Sequence, residues 1–155
     1  NYERSASRDL GSAMTADFAN PGAAERRALL KKVHTIAVLG LSPKPERPSH
    51  RVALQLQSFG YKIIPVRPGI ATLLGERVYA DIMDIAEPID LVNVFRRSEY
   101  LPSIVEACLA RGVPALWAQL GISHAQAAAR AREGGMMVVM DRCIAVDYRE
   151  LMAAQ

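Results

Sequence analysis

A repeated alternation between apolar strands and amphipathic helices constrains this chain more than any other feature of its sequence. The strand segments are nearly unbroken runs of apolar and β-branched residues without polar alternation, which is typical of strands buried on both faces. Five such strands are predicted, at His34–Gly40, Tyr61–Val66, Ile89–Phe95, Pro114–Gly121 and Met136–Met140. Helices are predicted between and before them, over Asn20–Lys32, Ser49–Gly60, Ser98–Gly112 and Ser123–Gly135.

Buried strands that alternate with helices form parallel sheets, because each right-handed crossover returns the chain to the end of the sheet where the previous strand began. We therefore predict an α/β, doubly wound, Rossmann-like fold with a mainly parallel five-stranded sheet in the order 3-2-1-4-5 and helices on both faces. A further short strand is expected at Arg77–Tyr79. Asn20, Ser49 and Ser98 are the expected N-caps of their helices.

Charge and cysteine content narrow the class of protein. The formal net charge of +3 suits an anionic ligand but is too small to indicate nucleic acid, so no nucleic-acid partner is expected. No apolar run is long enough to span a bilayer, so no membrane partner is expected either. Two cysteines, Cys108 and Cys143, do not make a disulfide framework, which favours a reducing cytoplasm.

The N-terminal segment differs in composition from the rest of the chain. Residues 1–13 are polar and show no periodicity, which leaves Met14 as a candidate for the natural start. We predict that residues 1–19 are a disordered or non-native leader and an N-terminal arm. Residues 20–155 are predicted to form a single Rossmann-like domain.

The loop after the first strand is the first candidate binding segment, because ligands of open parallel sheets bind beyond the carboxyl ends of the strands. The loop reads GLSPKPERPS and follows Gly40, but it lacks the G-x-G-x-x-G fingerprint. Lys44, Arg47 and Arg51 supply positive charge beside a helix N-terminus, which favours a phosphate. The alternative is a solvated connecting loop that is merely basic.

The end of the second strand separates classes of nucleotide. NAD-binding domains commonly place an acidic residue there, whereas this strand ends in IPVRPG with Arg67. An arginine favours a phosphorylated ribose, so the sequence disfavours NAD and permits NADP or coenzyme A (CoA). The alternative is that Arg67 is a surface charge beside a turn.

The ends of the third, fourth and fifth strands carry further residues that are candidates for the binding site. Arg96 and Arg97 follow the third strand and point to opposite sides if the backbone stays extended. Trp117 is either a core residue or a wall of the site. Cys143 follows the last strand beside Arg142, whose charge would favour the thiolate if the two lie close, and a mixed disulfide between Cys143 and CoA is one hypothesis.

Six sequence blocks resemble a known family. GLSPKPERPSHRVALQL, GYKIIPVRPG, LGERVYADIMDI, DLVNVFRRSEYLPSIVEACLARG, ALWAQLGI and GGMMVVMDRCI occur in this order between Thr35 and Ile144. Together they resemble the small stand-alone CoA-binding domain proteins, which are similar to the CoA-binding domain of the succinyl-CoA synthetase α subunit. The resemblance implies a Rossmann-like fold that binds CoA at the strand ends.

The resemblance also implies which residues bind the cofactor. Gly40, Leu41, Ser42, Lys44 and Arg47 would contact the pyrophosphate. Pro65, Val66 and Arg67 would lie by the adenine and the phosphorylated ribose. The pantetheine side would be lined by Val94, Phe95, Arg96, Trp117 and Gln119. No catalytic residue and no metal ligand is implied.

Three functions follow as hypotheses. The first is a non-catalytic module that binds CoA or an acyl-CoA, as a homodimer or beside a catalytic partner protein. The second is an enzyme, either an NADP-dependent reductase or the CoA-binding half of a two-component acyl-CoA ligase. The third is an interaction protein that keeps the fold without a ligand.

Overall fold

The computed structural model describes residues 18–153, so the predicted leader lies outside the described residues except for Phe18 and Ala19. The helices are α1 (Ala23–Lys32), α2 (Pro48–Ser58), α3 (Leu101–Arg111), α4 (Ala125–Glu133) and α5 (Ile144–Met152). The strands are β1 (Thr35–Leu39), β2 (Lys62–Val66), β3 (Thr72–Leu73), β4 (Glu76–Arg77), β5 (Leu91–Val94), β6 (Ala115–Ala118) and β7 (Met137–Val139). Turns of 3₁₀ helix occur at Ile82–Asp84 and Ser98–Tyr100.

The main sheet has five parallel strands in the order β2-β1-β5-β6-β7, and β3 pairs with β4 in a separate antiparallel hairpin. The predicted α/β, doubly wound, Rossmann-like class with a five-stranded sheet is confirmed. The predicted order 3-2-1-4-5 is wrong for one strand. The third long strand, β5, pairs with β1 and β6 instead of lying beside β2, so the five long strands run 2-1-3-4-5.

The position beside β2 is taken by a much shorter piece of chain. Tyr79 forms an isolated parallel bridge with Val66 and exchanges backbone hydrogen bonds with Pro65 and Arg67, at 3.0 and 2.9 Å. This segment covers the open side of β2, and the chain then enters the 3₁₀ turn at Ile82–Asp84. Because the side of β2 is covered, β5 pairs with the free side of β1. The strand order consequently reverses between β1 and β5, where open sheets bind ligands.

Apolar layers cover both faces of the sheet, as predicted. One layer packs α1, α2 and α5 against one face, and the other packs α3 and α4 against the opposite face. Adjacent β1 residues alternate between the layers, with Ala37 in one and Val38 in the other. No helix in the range 18–153 combines the length and the apolar character that crossing a membrane requires.

Two predicted helix caps have other roles. Asn20 does not cap α1, whose N-cap is Gly22; its side-chain amide instead exchanges two 2.8 Å hydrogen bonds with the backbone of Met140. Ser98 opens a 3₁₀ turn, and its hydroxyl accepts a hydrogen bond from Ser123 N–H. These two short polar side chains bond to backbone groups of distant segments instead of to the N–H groups of their own helices.

Candidate functional site

The ends of β1 and β5 approach each other closely at Gly40. Gly40 has φ +82°, and a Cβ atom built on it would lie 2.7 Å from the carbonyl oxygen of Phe95. The Gly40 N–H donates to the carbonyl oxygen of Val66 at 3.1 Å, so the turn is fixed against β2 as well. Any other residue would combine a left-handed conformation with a backbone clash. Gly40 therefore sets the distance between the loops that follow β1 and β5.

The loop after β1 is held by hydrogen bonds from the first turn of α2. The hydroxyl of Ser49 accepts from Ser42 N–H at 2.9 Å, so Ser49 fixes the loop instead of capping the helix. Nδ1 of His50 lies 2.9 Å from the Ser42 carbonyl oxygen, and the Ser42 hydroxyl accepts from Lys44 N–H at 3.1 Å. The loop that lacks the glycine fingerprint is thus ordered by side chains.

The N-terminus of α2 faces this loop. Arg47 is the N-cap residue and Pro48 is the first helical residue, which needs no hydrogen-bond acceptor because it has no N–H. The partial positive charge of an eleven-residue helix adds to the charges of Lys44 and Arg47. This arrangement favours an anionic group at the loop.

Three adjoining cavities form one groove along the carboxyl edge of the sheet. The first cavity has a volume of about 530 Å³, the middle cavity about 400 Å³ and the third cavity about 460 Å³. The first and middle cavities share Gly40, Ser42 and Arg67, and the middle and third share Pro48 and Phe95. The groove therefore runs from β2 past the β1 loop to the end of β6.

The first cavity combines an apolar wall with charged side chains of both signs, Arg67, Arg96 and Asp81. The apolar lining comes from both faces of the crevice and includes Leu39, Val66, Ile82, Ile104 and Ala107. Arg67 lines it and donates from Nε to the carbonyl oxygen of Pro68 at 3.1 Å. Asp81 lines it too, and its Oδ1 accepts from Met83 N–H at 2.9 Å. A flat apolar ring with polar edges suits such a cavity.

The middle cavity has the most basic lining of the three. Lys44, Arg47 and Arg67 line it, together with the start of α2. Arg96, which lines the first cavity, lies with its guanidinium carbon 4.4 Å from the ring centre of Tyr100. This cation–π contact positions an exposed arginine beside the β5 loop. Arginines line the outer cavities too, Arg67 and Arg96 the first and Arg51 and Arg149 the third, but the middle cavity has three basic side chains and the helix N-terminus.

The third cavity contains a fixed amide. Gln119 is 5 % exposed, and its Oε1 accepts from Asn93 Nδ2 at 3.1 Å and from Ile144 N–H at 3.0 Å. Asn93 also donates to the carbonyl oxygen of Trp117 at 3.0 Å. These bonds fix which end of the Gln119 amide is the oxygen, so its NH₂ group is the end left for the cavity.

Cys143 lines the third cavity, and the neighbouring Arg142 pairs with Asp147. The Arg142 guanidinium forms bidentate hydrogen bonds to Asp147 in α5, the shortest of them 2.7 Å, and this contact raises the pKa of Arg142. Asp147 also pairs with Arg26 at 2.8 Å. The Arg26–Asp147 pair joins α1 to α5, and the Arg142–Asp147 pair fixes the loop before α5 to the same carboxylate.

Most of the predicted cofactor-binding residues line the groove. They are Gly40, Ser42, Lys44, Arg47, Val66, Arg67, Phe95, Arg96 and Gln119. The side chains of Leu41, Val94 and Trp117 are in the packed core at 0 % exposure, and Pro65 is buried within β2. Trp117 is a core residue whose Nε1 donates to the carbonyl oxygen of Arg142 at 2.9 Å.

Several lining residues were not selected from the sequence. Asp81 caps the 3₁₀ turn at Ile82–Asp84, and the bridge at Tyr79 brings it to the first cavity. Ile104 lies inside α3 and Ile122 lies in the loop after β6, where no local pattern marks a ligand site. Only the order of the strands brings these residues to one edge.

The side chains of His50 and His124 make structural contacts. His50 contacts the β1 loop, and His124 accepts from Ala127 N–H at 3.1 Å as the N-cap of α4. Among residues 18–153 no group of three or more His, Cys, Asp or Glu side chains is arranged to hold a metal ion.

Comparisons with known proteins identify the family of the chain. Residues 34–149 match the CoA binding domain family. Uncharacterized protein YneT of Bacillus subtilis is 45 % identical over 129 residues, covering 83 % of this chain and 96 % of that protein. A solved Thermus thermophilus structure is 37 % identical with a TM-score of 0.80, covering 84 % of this chain and 99 % of that one.

A more distant match connects the fold to a larger enzyme. The acetate–CoA ligase (ADP-forming) of Methanocaldococcus jannaschii is 25 % identical over 79 residues, which is 51 % of this chain and 11 % of that protein. The family match spans most of the sheet and every strand-end loop of the groove. This protein belongs to the CoA binding domain family.

Proposed function

We propose that this protein binds CoA or an acyl-CoA along the strand-end groove as a small stand-alone module without chemistry of its own. The observation that carries the proposal is the succession of three adjoining cavities, with the most basic one in the middle. CoA has the same succession of parts: an adenosine with a 3′-phosphate, a pyrophosphate and a long, less polar pantetheine arm. The proposal includes a cytoplasmic setting.

Each part of the ligand is assigned to one cavity. The adenine enters the apolar first cavity, and Arg67 at its border with the middle cavity binds the 3′-phosphate. The pyrophosphate binds at the N-terminus of α2 beside Lys44 and Arg47. The pantetheine passes Phe95, which lines both the middle and third cavities, and ends near Gln119.

The test is isothermal titration of protein stripped of bound ligand with CoA, acetyl-CoA, NADP and NAD. We expect micromolar binding of CoA and none of NAD. Arg47→Ala and Arg67→Ala should each weaken CoA binding by about 1–3 kcal/mol, the range for a charge-assisted hydrogen bond. Arg130→Ala is the matched control, because Arg130 pairs with Glu106 outside the groove.

Dephospho-CoA, which lacks the 3′-phosphate, separates the two arginines. The effect of Arg67→Ala should disappear with this ligand, whereas the effect of Arg47→Ala should remain. Equal binding of CoA by the wild type and both variants would show that the phosphates bind elsewhere. Tight binding of NADP without CoA would support the reductase instead.

A second candidate is the CoA-binding half of a two-component acyl-CoA ligase, which the match to the acetate–CoA ligase favours. It predicts that CoA binding by the chain alone is accompanied by association with a second protein. Affinity purification of the tagged full chain, followed by an assay for CoA-dependent formation of ADP, tests it. Activity in the purified complex that is absent from the chain alone would support this candidate.

A further inference from the structure

The third cavity contains a hydrogen-bond donor held in place for a ligand. Gln119 is almost fully buried, and its Oε1 is bound by Asn93 and by the N–H of Ile144. Among residues 18–153 its Nε2 has no hydrogen-bond partner, although Gln119 lines the cavity. The Nε2 atom is not among the fully buried atoms that lack a partner, so it reaches the surface of the cavity, where it can donate to an acceptor on a ligand.

Cys143 is fixed beside this donor. It precedes Ile144, whose N–H donates to Gln119, and it lines the same cavity as a half-buried free thiol. Leu120, another lining residue, is 72 % exposed, so the cavity opens to solvent beside the thiol. The end of the groove thus has an amide donor, a thiol and an opening to solvent.

We propose that Cys143 exchanges disulfides with CoA, so that the protein carries CoA as a mixed disulfide when CoA disulfide is present. This inference rests on the proposed function, because the pantetheine arm must lie in the third cavity. A pantetheine amide carbonyl accepts a hydrogen bond from Gln119 Nε2, which holds the thiol end of the arm near Cys143. The nucleotide anchors the other end.

The exchange is balanced without a further oxidant. The Cys143 thiolate attacks one sulfur of CoA disulfide, and a new S–S bond joins Cys143 to that CoA. The original S–S bond breaks, and the second CoA leaves as a thiolate that takes up the proton lost by Cys143. Cys143 is oxidised and the released CoA is reduced. The leaving half exits on the side of Leu120.

The experiment follows adduct formation on the reduced full chain by intact-protein mass spectrometry. The probes are CoA disulfide and pantethine, the corresponding disulfide without the nucleotides. Cys143→Ser removes the proposed nucleophile and places a favourable residue at the N-cap of α5. Cys108→Ala is the matched control, because Cys108 is the other cysteine of the chain and is buried in α3.

We expect one CoA adduct on the wild type and on Cys108→Ala, and none on Cys143→Ser. The reaction with CoA disulfide should be at least about tenfold faster than with pantethine, because nucleotide binding raises the effective concentration of the disulfide at the thiol. Excess adenosine 3′,5′-bisphosphate should remove this advantage by occupying the nucleotide end of the groove.

The outcomes separate this inference from the proposed function. If CoA binds in titration but no adduct forms, or if both disulfides react at the same rate, the exchange is overturned and the binding function stands. If CoA does not bind in titration, both fail. An adduct on Cys143→Ser at Cys108 would also overturn the inference.

Discussion

Gly40→Ala tests whether the close approach of the β1 and β5 loops builds the site. An alanine at φ +82° costs about 1–2 kcal/mol in backbone conformation. Its Cβ would also lie 2.7 Å from the Phe95 carbonyl oxygen, closer than a real Cβ contact, so the backbone has to move. Overpacking of this kind costs about a further 1–3 kcal/mol. We expect a total loss of about 2–5 kcal/mol in the free energy of unfolding.

Gly112→Ala provides the matched control, because Gly112 has φ +73° and no atom within 4 Å of its ideal Cβ. It should lose only the conformational part, about 1–2 kcal/mol. Urea unfolding measures both losses, and titration with CoA measures binding at concentrations where both variants are folded. Gly40→Ala should weaken CoA binding, whereas Gly112→Ala should not. Equal unfolding losses with equal CoA affinities would refute the argument.

Three further predictions concern separate parts of the molecule. Burial raises the pKa of the Cys108 thiol from 9.0 to about 12. The contribution of the neutral thiol to stability is therefore present below pH 9 and is lost as pH rises toward 12. Between pH 8 and 10, urea unfolding should show that the free energy of unfolding falls by about 1.4 kcal/mol more for the wild type than for Cys108→Ala. Asp147→Asn should lower the free energy of unfolding by about 2–4 kcal/mol, because it leaves Arg26 and Arg142 without their buried carboxylate, and the same assay measures this loss. Ile122→Trp should fill the third cavity and weaken CoA binding in titration while leaving the affinity for adenosine 3′,5′-bisphosphate unchanged.

The class of fold is predictable from this sequence, because strands buried on both faces carry a strong local signal. The position of β5 is not predictable in the same way. Whether a strand adds beside β2 or beside β1 depends on how much of the earlier chain already covers the β2 edge. Here the bridge at Tyr79 covers it. A short strand is predicted at Arg77–Tyr79, but its sequence does not indicate that it joins the edge of β2.

The residues of the site, like the strand order, are only partly predictable from the sequence. Strand ends identify the loops that meet at the switch point, so Lys44, Arg47 and Arg67 could be selected from sequence. The direction of a side chain at a strand end depends on small changes in register, because neighbouring residues point to opposite sides. Trp117 consequently lies in the core, while Gln119, two residues later and beyond the end of β6, lines the groove.

The third cavity is the part of the groove that separates the candidate ligands. The first and middle cavities offer an apolar wall, arginines and a helix N-terminus, which suit the adenosine phosphates that NADP and CoA have in common. A nicotinamide riboside is a compact ring system with a charged ring, whereas pantetheine is a narrow chain with two amides and a terminal thiol. The third cavity offers a fixed amide donor and a cysteine at the open end. Arg51 and Arg149 also line this cavity, but the amide donor and the thiol are the groups that suit a pantetheine arm, and the proposal of CoA over NADP rests on them because Arg67 suits both.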